Sequence, residues 1–189
     1  MDYQTLLRAA KADPDHADFT ALRMAYVNSD LYTPYAFSRQ EREALWEAVQ
    51  QDDMARLAEL AEQFLEENFM DVECHLLAYI AHENLGNEEK ASYHRSCFQG
   101  FLNSILSSGD GRTPQTAFVV INANEEYALL MALGLTPKGQ MLIKSGDEIC
   151  DLILVEDSEG RSGQIFFNVT IPHRWLEEHI SEEDEGEEA

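Results

Sequence analysis

Positive charge is what this sequence has least of. Lys and Arg together number 13 against 36 Asp and Glu, a formal net charge of −23. Binding to nucleic acid or to an anionic lipid surface needs Lys and Arg to displace counterions, so neither is an expected partner. Cysteine is scarce too. Cys74, Cys97 and Cys150 are too few and too scattered for a disulfide framework or a metal knuckle, and read as buried thiols in a reducing compartment. No apolar run approaches the length of a bilayer span. The opening Met1-Asp2-Tyr3-Gln4 carries an acid, lacks a basic n-region and leads into no apolar run, which predicts a cytoplasmic chain.

What is present suffices for a core. Of 189 residues, 44% are hydrophobic, enough for one domain or two small ones. Acid is spread along the chain: only eight of the 36 acids lie in the stretch Glu177 to Ala189, so the body is acidic as well. Such a field favours a basic protein as partner. A run of acids without a basic residue reads as a disordered tail over 177–189.

Residues 1–107 read as helices. Ser38-Arg39-Gln40-Glu41 has the form of a capping box, followed by Ala44, Leu45, Ala48 and Val49 on one face. Met54, Leu57, Leu60, Ala61, Phe64 and Leu65 repeat the spacing, and Val72, Leu76, Tyr79 and Ile80 do so again. Gly86 ends that helix and Asn87 can cap the next, through Ala91, His94, Cys97 and Phe98 to Leu106. Tyr26, Tyr32 and Tyr35 flank a Pro-containing loop and are expected to pack it onto the helices. The segment Leu77 to Ala91 resembles the middle of a tetratricopeptide repeat, which implies stacked helical hairpins with a concave face.

Near position 108 the period changes. Ser108-Gly109-Asp110-Gly111-Arg112-Thr113-Pro114 is turn chemistry, and Thr116–Ile121 is a short β-prone run. Asn122 with Glu125 predicts the start of a helix that Gly134 closes. Strands follow at about Gln140–Lys144, Glu148–Glu156 and Gln164–Ile171, with Pro172 stopping the last and Trp175 opening a short helix. The fold class is therefore α+β: a helical region 1–107, then a small domain 108–176 with an antiparallel β-meander and one packed helix.

The run Ser104 to Pro114, with Thr116–Ile121 and Glu125-Glu126-Tyr127, resembles the bacterial family grouped as domain of unknown function 4919 (DUF4919). Tyr32-Thr33-Pro34-Tyr35, His94-Arg95 and Phe166 to Pro172 match the same group. The resemblance spans about residues 19–176. It implies boundaries; it implies no activity, because the family has none assigned.

The Ser108–Gly111 turn is the best candidate binding site. Its two glycines can expose N–H groups to an anion, and Asp110 adds a carboxylate. Tyr127 joins it as a binding residue. No Walker A loop, EF-hand, nucleophile elbow or His-Glu-x-x-His occurs. His75 and His82, seven apart, are too distant for a shared zinc, so no metal and no cofactor is expected. The leading expectation is a non-enzymatic interaction module for a basic protein, an inhibitor or immunity-like protein being its sharper form. The alternative is a hydrolase-type enzyme at the Ser108–Gly111 turn and the Glu125–Tyr127 helix start. It would need His94, Asp110 and Glu125 or Glu126 in one polar pocket.

Overall fold

A computed structural model of the chain describes residues 1–35 and 39–186. The capping box expected at Ser38–Glu41 rests on Ser38, which lies outside the described residues. The elements in chain order are α1 Tyr3–Ala12, α2 Phe19–Val27, α3 Arg39–Gln50, α4 Met54–Glu67, α5 Val72–Asn84, α6 Glu88–Leu106, β1 Phe118–Val119, α7 Ala123–Ala132, β2 Thr136–Ser145, β3 Glu148–Glu156, β4 Ser162–Asn168 and α8 Thr170–Gly186. The fold is α+β, and the chain divides into two compact units that meet at Ser104 and Ile105. No described helix is long and apolar enough to cross a membrane.

Part of the acid excess starts helices. Asp2, Asp18, Asp53 and Asp71 each accept the N–H three residues on, at 3.0, 2.8, 3.0 and 2.7 Å, and Asn122 does the same at 3.1 Å. Each satisfies a donor that the helix itself leaves unpaired. Two helix ends are closed by glycine. Gly86 at φ +72° and Gly134 at φ +67° let the chain fold back, with Asn87 N–H bonded to His82 O and Leu135 N–H to Leu130 O.

The first unit has a core of α3, α4 and α5 built from Leu45, Leu57, Phe64, Leu65 and Leu77 around the small residues Ala48, Ala58, Ala61, Ala78 and Ala81. The alanines let the helix backbones approach closely. The buried apolar residues of α5 are Val72, Cys74, Leu77, Ala78 and Ala81, so Val72 is buried as expected, whereas Leu76, Tyr79 and Ile80 are half-buried. Past Val72 the expected face was displaced, because α5 is covered on more than one side and its apolar residues do not mark a single stripe. Arg42 of α3 pairs with Asp71 at 2.7 Å and with Glu73, tying α3 to the start of α5. Tyr32 is buried and stacks edge-on against Tyr26, while Tyr35 is 49% exposed.

The second unit holds one four-stranded sheet in the order β1-β4-β3-β2. β2, β3 and β4 form the expected antiparallel meander. β1, read in the sequence only as a β-prone run, adds a fourth strand that pairs parallel with β4 and makes the sheet mixed. β4 is thus central, and Phe166 and Phe167, on opposite faces, are both buried. It ends at Asn168, earlier than expected. Pro172 does not end the strand: it sits in the first turn of α8, where its missing N–H costs nothing. That helix runs on to Gly186, into the stretch expected to be a disordered tail, since its Glu-rich sequence is helix-compatible and contains no earlier breaker.

Candidate functional site

Three helices of the first unit bring titratable side chains together. α4 supplies Glu62, α5 supplies His75 and His82, and α6 supplies Lys90 and His94. The chain reverses at Gly86, which sets the end of α5 beside the start of α6. Glu62 Oε1 lies 2.8 Å from Lys90 Nζ, 3.0 Å from His82 Nε2 and 3.4 Å from His94 Nε2. His82 and His94 are buried at 4% and 2% exposure, and their rings lie parallel with centroids 5.8 Å apart. Behind them, His94 Nδ1 meets His75 Nδ1 at 3.1 Å, and His75 Nε2 meets Phe69 O at 2.9 Å.

The hydrogen bonds fix the tautomers. A carbonyl only accepts, so His75 Nε2 carries hydrogen and donates to Phe69 O. Burial, with His94 nearby, pushes His75 down to about 3, so it is neutral and its Nδ1 accepts. His94 Nδ1 must then be the donor in that bond. Burial also lowers His94, against the pull of Glu62, whose Oε1 stands 3.4 Å from His94 Nε2. On the other ring, the Asn87 amide N–H donates to His82 Nδ1 at 3.2 Å, so His82 Nε2–H donates to Glu62. Burial opposes the Glu62 charge, but the Lys90 hydrogen bond, the His94 ring and the His82 hydrogen bond outweigh it and bring Glu62 down to about 2. The carboxylate is ionised at any physiological pH.

A second cluster lies in the other unit. Glu126 of α7 is fully buried, and with Glu126 ionised neither of its oxygens meets a donor. Burial first, then the neighbouring Asp151 of β3, pushes its carboxyl up to about 8. Protonated, its O–H can donate to Asp151, whose Oδ2 accepts from Gln140 Nε2 at 2.6 Å.

A family model described as Domain of unknown function (DUF4919) matches residues 1–179. The chain belongs to that family. The DUF4919 match covers both units and both clusters. No curated protein and no solved structure matches the chain.

In this DUF4919 chain the residues singled out by sequence are each engaged locally. Ser108 Oγ donates to Ile105 O at 2.6 Å and accepts from Val119 N–H at 2.8 Å. The N–H groups of Asp110 and Gly111, which could have met an anion, both point at Thr116 O, at 2.9 and 2.8 Å. Asp110 Oδ1 accepts from Arg112 N–H and from Thr116 Oγ1, the ordinary bonds of a turn, and these lower its pKa. Gly109 and Gly111 are required by space: a Cβ would lie 2.4 Å from Thr116 O at the first and 2.4 Å from the Phe118 ring at the second. Glu125 accepts the Ile121 N–H at 2.9 Å beneath the start of α7. Tyr127 is 42% exposed, its hydroxyl 3.4 Å from Gln140 Oε1. His94 belongs to the Glu62 cluster.

Glu62, His82 and Asp151 carry chemistry that sequence reasoning missed. Glu62, His82 and His94 come from three helices, so no local spacing joins them. The one usable signal is the hairpin at Gly86: folding the chain there sets residue 82 opposite residue 90, and brings His94 within a turn of both.

Proposed function

We propose that this protein is a non-catalytic binding module whose helical unit takes a basic, part-apolar segment of another protein. One observation carries the reading. Between α3 and α4 runs a groove of about 290 Å³ with Ala44, Leu45, Leu60 and Phe64 on its floor and Glu41 and Glu67 at its rim. Gln40, Gln63 and Asn68 complete the lining with hydrogen-bonding groups. An apolar floor between carboxylates is complementary to an amphipathic helix that carries Lys or Arg beside its apolar stripe. The net charge of −23 would steer such a segment in. A tetratricopeptide-like stacking of the helical hairpins is part of this reading, since it presents such grooves in series.

The hydrolase reading has less support. Asp110 and Glu125 are held by turn and helix-start bonds, and Glu126 is closed to solvent. A substrate would have to reach a fully buried carboxyl.

The test uses a fluorescein-labelled amphipathic helix with Lys and Leu on adjoining faces, followed by anisotropy. Glu41→Lys with Glu67→Lys should weaken binding at least tenfold, and Leu60→Asn, which leaves charge unchanged, should weaken it severalfold. Binding that responds to charge reversal yet ignores Leu60→Asn would reduce the groove to non-specific attraction and discard the proposal.

A further inference from the structure

The geometry points to a divalent transition-metal site at Glu62, His82 and His94, with zinc the first candidate. Two imidazole nitrogens and one carboxylate oxygen are a borderline donor set that suits zinc, and the three ligand atoms all lie within 4.8 Å of one another. In a tetrahedral site with bonds of about 2.0–2.1 Å, the ligand atoms stand about 3.3 Å apart. Two of the three edges are already close to that, at 3.0 and 3.4 Å. The site therefore needs adjustment chiefly along the edge between the two rings.

Three features argue for a ligand site over a simple ion-pair cluster. First, the Nε2 atoms of two buried rings, 4% and 2% exposed, converge on one carboxylate oxygen at 3.0 and 3.4 Å. Second, the supporting bonds are those of a metal-binding histidine. His94 donates through its other nitrogen to His75, which is anchored on Phe69 O. Such a relay fixes ring orientation and raises the basicity of the ligating nitrogen. Third, there is a way in. A surface depression lined by His82, Asn87, Glu88, Glu89 and Lys90 reaches the cluster, and its two glutamates would gather cations.

Two groups must give way when the ion binds. His82 Nε2 carries a hydrogen as it stands. That proton passes to Nδ1 while the Asn87 amide turns to present its oxygen, so no proton leaves the protein at this residue. Lys90, half-exposed, competes for the same oxygen and must swing to solvent. Glu62, His82 and His94 then hold the metal on three sides, and water takes the fourth position toward the depression. The ion clips α4, α5 and α6 together.

The test is titration of the full chain with zinc chloride by calorimetry, and with cobalt(II), whose visible absorption reports tetrahedral coordination. We expect one saturable site per chain. Glu62→Gln and His94→Gln should each weaken it at least tenfold, and Lys90→Met should tighten it severalfold by removing the competing cation. Because Lys90 is exposed, that variant folds, and it keeps the test decisive even where a buried substitution disturbs the cluster. Absence of a one-to-one site in both the unaltered chain and Lys90→Met would overturn the inference. So would zinc binding of equal strength in Glu62→Gln, His94→Gln and the unaltered chain, which would assign it to surface acids.

Discussion

Replacing Glu126 by Gln should stabilise the folded chain at neutral pH, and by more as the pH rises. Glu126 has no exposed surface, and its pKa stands at about 8 against the ordinary 4.5. Between those two values the folded state holds a proton that the unfolded state has lost. Its contribution is therefore undiminished below about pH 4.5, falls as the pH rises through the unfolded value, and levels off above about pH 8. At about 1.4 kcal/mol per pH unit, the penalty is about 3 kcal/mol at pH 7 and on the order of 4–5 kcal/mol above pH 8. Glutamine never ionises, and its amide can give Asp151 the hydrogen bond that the protonated carboxyl gives. Urea unfolding followed by far-UV circular dichroism across pH 5 to 9 measures the difference between the two proteins. It should be near zero at the acid end and widen toward the alkaline end. A constant difference at every pH, or a variant less stable than the parent at alkaline pH, would refute the assignment of a buried proton to Glu126.

Three further substitutions test packing. Gly100→Ala places a Cβ 2.2 Å from the Phe19 ring, which is itself buried and edge-on to Phe101 at 4.6 Å. A net loss of about 1–2 kcal/mol is expected in urea unfolding, the overpacking exceeding the gain in helix propensity, and Phe19→Leu should recover part of it. Asp71→Ala removes both the Cys74 N–H cap and a buried partner of Arg42, and should cost about 3 kcal/mol, read as a lowered thermal midpoint. Gly111→Ala meets both a left-handed backbone, φ +66°, and the Phe118 ring. It should lose about 2 kcal/mol or more, with the loss seen in near-UV dichroism of the sheet unit.

How far the sequence could be read follows from whether the signal was local. The bounds of β3, Glu148–Glu156, were legible because Gly146 and the Asp157 turn bracket a β-branched run. The helix start at Asn122 was legible for the same kind of reason, a side chain three residues from the N–H it caps. The buried face of α5 was misread, since burial on several sides erases the stripe that periodicity detects. β1 was visible as a β-prone run, but its parallel partner lies about fifty residues away and nothing near it announces direction. The Glu62, His82 and His94 cluster was invisible for the same reason: its members sit twelve to thirty-two residues apart on three elements. The Ser108–Gly111 turn attracted notice because glycine, aspartate and serine serve anion loops and tight turns alike, and here their bonds are made within the turn.

The strand order has a consequence for synthesis. Among the described strands β4 is the last to leave the ribosome, yet it is the one that β1 needs, because β1 borders no other of them. A chain released only through β3 can zip β2 to β3 as a hairpin, but the strand pairing of Phe118 and Val119 must wait for Phe167 and Asn168. The sheet closes from its far end inward, and a stop before Asn168 would leave β1 without its strand partner.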